Sequence, residues 1–68
     1  MHFAIELERE DDGRWIAEVP DLPGTIVYGH TRDEALAGVK ALALRVVADR
    51  LEHGEADPGL ADVSFLAA

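Results

Sequence analysis

From Phe3 to Glu8, apolar Phe3, Ile5 and Leu7 alternate with Ala4, Glu6 and Glu8, the two-residue period of a strand with one buried face. Arg9 to Gly13 (REDDG) brings Asp side chains for local hydrogen bonds and a glycine for positive φ, which predicts a reversal into a hairpin. On the return, Trp15, Ala17 and Val19 point to one side, and Arg14, Ile16 and Glu18 to the other. Pro20 and Pro23 remove backbone donors and fix φ near about −65°, so Pro20 to Gly24 is predicted as a loop or edge crossing. Thr25 to Tyr28 is a short third strand with Ile26 and Tyr28 on one face and Thr25 and Val27 on the other. Gly29 ends it.

The period then changes. Thr31 is a good N-cap with Glu34 three residues later, the pattern of a capping box, and Asp33 and Glu34 complement the helix dipole in the first turn. Gly54 follows His53 as a C′ residue, which predicts a helix from Arg32 to about His53. Such a helix is roughly 33 Å long, against about 17–20 Å for a typical strand, so it should overhang its sheet. Ala35, Leu36, Val39, Leu42, Ala43, Val46 and Val47 form one apolar stripe, the expected sheet-facing side. Arg50 and His53 fall on the same stripe, so the last turn and a half leaves the core.

A second, opposed strip holds Ala37, Ala41, Leu44, Ala48 and Leu51, with a narrow polar arc of Glu34, Arg45, Asp49 and Glu52. One sheet cannot cover both strips. The second strip, above all Leu44, Ala48 and Leu51, either lies at the surface or meets another protein chain, since alanines permit close approach and leucines fill the contact. Glu55 to Ala61 reads as a turn-rich linker and Val63 to Leu66 as a last strand. The whole is expected to be one α+β domain over residues 1–68: a small antiparallel-rich sheet with one long helix on one face, in the order βββαβ. Periodicity leaves open which sheet face the helix covers. Trp15 is therefore either core-facing with Ala17 and Val19 or an interface anchor on the uncovered face.

Composition sharpens the partner question. The core of a 68-residue chain rarely supplies more than about 3–5 kcal/mol without a staple. The chain has no cysteine, and its three histidines (His2, His30, His53) lack the spacing of a structural zinc site. Self-association as a dimer or tetramer is the expected staple, and no cofactor or metal is expected. The net charge of −8, from 14 acidic and 6 basic side chains, disfavours direct nucleic-acid binding, which draws on Lys and Arg. A basic protein partner fits better, although net charge also serves solubility. The acidity is uneven: residues 1–30 carry seven acids and two arginines, net −5, and residues 31–53 sum to zero. No targeting segment and no apolar run of membrane-spanning length is visible, so a cytoplasmic protein is expected.

The EDDG turn, Trp15-Ile16-Ala17, the Val19-Pro20-Asp21-Leu22-Pro23-Gly24 loop, Gly29-His30-Thr31 and Glu34-Ala35 together resemble the HicB antitoxin family of type II toxin-antitoxin systems. The resemblance runs from Phe3 to about Phe65. It implies a partial RNase H-like βββαβ fold whose role is to bind and mask a small basic mRNA-cleaving toxin of the HicA type. Many members add a C-terminal DNA-binding domain; this sequence stops after the fourth predicted strand, so no operator binding is expected. His30 stands where the family more often has a small or acidic residue.

On this reading, charge sets encounter and partner choice while apolar contacts hold the complex. Glu6, Glu8 and Glu18, with Asp11 and Asp12, are candidates for the charged part; Leu44, Ala48, Leu51 and Trp15 are candidates for the apolar part. An alternative is a stand-alone homo-oligomer without a toxin partner. A nuclease-like enzyme is the remaining rival, since Glu6 and Glu8 share a strand face and Asp21 and Asp62 are further carboxylates. No nucleophile-plus-base constellation or converging carboxylate set is evident, so no catalytic residue is assigned.

Overall fold

The acidic turn closes the first hairpin in the computed structural model, which describes residues 1–54 and 63–67. The Glu10 N–H donates to the Arg14 carbonyl at 2.7 Å and the Gly13 N–H to the Glu10 carbonyl at 3.0 Å, with Gly13 at φ 89°. The Asp12 carboxylate accepts from the Arg14 backbone N–H at 3.0 Å and from its Nε at 2.7 Å. The backbone N–H, aided by the guanidinium, holds this exposed carboxyl below the usual carboxylate range. A depressed carboxyl pKa contributes stability that is present above the unfolded value and lost as pH falls through the folded one.

The hairpin joins β1 (His2–Arg9) to β2 (Trp15–Glu18); β3 (Ile26–Gly29), α1 (Arg32–Glu52) and β4 (Ser64–Ala67) follow. The sheet runs β3-β2-β1-β4, with β1–β2 and β2–β3 antiparallel and β4 parallel to β1. This is the expected α+β, βββαβ arrangement with one helix and an antiparallel-rich mixed sheet. The sequence-predicted linker over Glu55 to Ala61 lies outside the described residues, as does Asp62.

Strand register decides which face the helix covers. Leu7 lies opposite Ala17, Ala17 opposite Val27, and Phe3 beside Phe65, so the odd-numbered apolar positions of all four strands share one face. Helix α1 packs on that face, burying Ala35, Val39, Ala43 and Val47 at every fourth position. They meet Phe3, Ile5, Ala17, Val19 and Leu22 in one core. Leu22, between the two prolines, reaches this core from the loop, and its N–H donates to the Val19 carbonyl at 3.0 Å. The helix lies over β3 and β2 more than over β1. On the β1–β4 side the rings of Phe3 and Phe65 pack at 5.9 Å.

Two glycines set the helix–sheet distance. A Cβ on Gly29 would lie 2.6 Å from the Ala35 backbone nitrogen and 3.0 Å from its Cα, so the start of the helix sits directly against the end of β3. A Cβ on Gly38 would lie 2.8 Å from Val27 Cγ1. Thr31 caps the helix, its Oγ1 accepting from the Glu34 N–H at 3.0 Å. The return bond of a capping box is absent, a correction to the sequence expectation: the Glu34 side chain is exposed and makes no bond to the Thr31 N–H. At the other end His53 is the C-cap, its N–H donating to the Asp49 carbonyl at 3.1 Å, and Gly54 takes φ 69°.

Gly29→Ala should destabilise the fold by about 1–3 kcal/mol in urea denaturation, because rigid backbone blocks the new methyl group. Gly38→Ala meets a side chain instead, and the double variant Gly38→Ala with Val27→Ala should recover part of the loss by relieving that clash. Equal tolerance of Ala at Gly29 and Gly38 would contradict this packing.

Candidate functional site

Because the helix covers the odd-numbered face, the even-numbered face of the sheet is open. Its centre is acidic. Glu6 lies directly opposite Glu18 across β1–β2, and Glu8 lies opposite Ile16 one step along. Together Glu6, Glu8, Ile16 and Glu18 line a shallow hollow. Among the described residues none of the three glutamates meets a cation. Like charges directly opposite are unfavourable in a sheet, so the fold holds this cluster at a cost.

Apolar side chains border the acids on both sides. Toward the β3 edge, Ile16 pairs with Tyr28 and Glu18 with Ile26, and Tyr28 is 52% and Ile26 43% exposed. Toward the β4 edge, Ala4 pairs with Leu66, which is 75% exposed. The Arg14 guanidinium sits 5.0 Å from the Tyr28 ring centroid while its Nε pairs with Asp12. At the far corner the His2 ring nitrogen bonds the Ser64 hydroxyl, tying β1 to β4.

The structure thus brings Glu6, Glu8 and Glu18 together, as the sequence expectation required. Trp15 is not with them. It sits half-buried against the core on the helix-covered face, the core-facing alternative of the two left open by periodicity, so it does not serve as an anchor on the open face. Asp11 and Asp12 lie in the hairpin turn at the end of the sheet. Leu44, Ala48 and Leu51 are exposed on the opposite side of the molecule, on the outward side of α1. His30 is exposed and lines a separate hollow with Arg14, Tyr28, Gly29 and Glu34. Among the described residues no group of three or more His, Asp or Glu side chains is arranged to hold a metal ion, and no helix is long and apolar enough to cross a membrane.

The apolar border escaped the sequence expectation, although its signal was present. Ile26 and Tyr28 share a face by alternation, and Ile16 shares one with Glu18. What alternation lacked was the assignment of that face to solvent, which depends on helix packing.

Comparison with known proteins places the chain among relatives of similar length. A UPF0150 protein of Archaeoglobus fulgidus is 39% identical over 57 residues, covering 81% of this chain and 83% of that protein. The chain belongs to the UPF0150 family. A UPF0150 protein of Thermoplasma acidophilum is 29% identical over 58 residues, covering 85% of this chain and 84% of its own length. No family model matches the chain, and no solved structure matches it at a significant level.

For this UPF0150 chain the opposed glutamates generate a direct expectation. Glu18→Lys should stabilise the isolated protein by a few tenths to about 1 kcal/mol in urea denaturation at low salt, since it replaces repulsion with attraction toward Glu6. The gain should shrink at high salt. A salt-independent loss of stability would show that Glu18 is held by interactions other than those described.

Proposed function

We propose that this chain is an antitoxin-like protein-binding domain of HicB type, which uses its open sheet face to capture and mask a small basic mRNA-cleaving toxin in the cytoplasm. One observation carries this reading: three glutamates, with no cationic partner among the described residues, stand at the centre of an uncovered sheet face and are bordered by Ile16, Ile26, Tyr28 and Leu66. That layout suits a cationic protein surface. The carboxylates attract and orient Lys and Arg side chains, while the apolar border supplies the desolvated contact that slows dissociation. The net charge of −8 extends the attraction beyond the contact itself.

The resemblance of the hairpin, the Pro20 to Gly24 loop and the helix start to HicB antitoxins supports the reading independently of charge. UPF0150 membership is compatible with it. Masking requires no chemistry from this chain: an enzyme that binds RNA through basic side chains loses substrate when those side chains are occupied by carboxylates. Tyr28 is the strongest candidate for an anchor, being large, exposed and held by Arg14.

Co-expression with a HicA-type toxin from the same genome tests the proposal. The expected results are a salt-sensitive complex on co-purification and relief of toxin-induced growth arrest. A chain carrying Glu6→Lys, Glu8→Lys and Glu18→Lys together should lose both while keeping its circular dichroism spectrum. Absence of complex and of relief with the unmodified chain would refute toxin masking.

A further inference from the structure

The outward side of α1 repeats with a second period. Ala37, Ala41, Leu44, Ala48 and Leu51 are spaced four, three, four and three residues apart, the a/d alternation of a heptad over two repeats. All five are exposed, with Leu44 at 49% and Leu51 at 41%. The seam is about 21 Å long at the rise of an α-helix. It is distinct from the buried row of Ala35, Val39, Ala43 and Val47, so one helix carries two apolar sides and the sheet occupies only one.

We propose that two copies of this chain associate through α1, in an antiparallel helix–helix seam built from Ala37, Ala41, Leu44, Ala48 and Leu51. Two observations select a second copy and its orientation. First, the charge is partitioned. Residues 31–53 contain four acidic and four basic side chains and sum to zero, whereas residues 1–30 carry −5. The helix is therefore the side on which two acidic copies approach with least repulsion, and it lies opposite Glu6, Glu8 and Glu18. Second, volumes match in antiparallel register. Ala41 faces the second copy's Leu51 and Ala48 faces its Leu44, so every central layer combines one small and one large side chain. A parallel pair would stack alanine on alanine and leave a gap.

The resulting assembly has helices at the centre and sheets outside. Both open sheet faces remain free, so the dimer is bivalent for any ligand of that face. The inference stands apart from toxin masking, because it concerns the chain alone.

Sedimentation of the purified chain in the absence of any toxin tests it. A dimer is expected, and Leu44→Lys with Leu51→Lys should give a monomer with an unchanged far-ultraviolet spectrum. A monomeric wild-type chain, or a folded double variant that still dimerises, would overturn the proposal without touching the sheet-face reading. Orientation is tested by disulfide formation, which is clean because the natural chain has no cysteine. Mixed Ala41→Cys and Leu51→Cys chains should cross-link to each other faster than either does to itself. Preferential self-linking of Ala41→Cys chains would overturn the antiparallel seam.

Discussion

Helix α1 lies so close to β3 that one position on each element leaves no room for a side chain. At Gly29 the obstacle is the Ala35 backbone, and at Gly38 the obstacle is Val27. Alanines at 35 and 43 on the buried row keep the contact shallow along the rest of the interface. This approach fixes the helix over the odd-numbered face. From it follow the core, the exposure of the even-numbered face and the outward aim of the second helical strip.

The two uncovered surfaces differ in electrostatic character, and that difference organises the functional reading. The open sheet face concentrates carboxylates among apolar side chains, and its opposed Glu6 and Glu18 work against folding. Stability sacrificed at a surface cluster is a common mark of a site shaped by binding. The helix surface is neutral overall and regular in period. In the proposed account the first face takes a cationic protein and the second takes another copy, so a small domain with no disulfide gains its staple without obstructing its ligand surface.

Most of the fold was legible in the sequence because each signal was local. Alternation gave the strands, Pro20 and Pro23 the loop, Thr31 and Gly54 the helix ends, and the two helical strips were separable by angle. The misses have a common cause in tertiary packing. Leu22 reads as a loop residue until the prolines around it are seen to fold it into the core. Gly38 reads as a helix defect until Val27 is placed against it. Glu34 suits a capping box by spacing, yet the structure forms only the Thr31 half. Of the candidate site, Glu6, Glu8 and Glu18 were legible as one acidic face. Their apolar border and the position of Trp15 were not, since both depend on which face the helix covers.

The most direct test of the account is an NMR titration of the isotopically labelled chain with a HicA-type toxin from the same genome. Backbone amide shifts are expected to concentrate at Glu6, Glu8, Ile16, Glu18, Ile26 and Tyr28, with the amides of Ala37, Leu44 and Leu51 unmoved. Shifts confined to the helix seam, or none at all, would contradict the assignment of the open sheet face as the ligand surface.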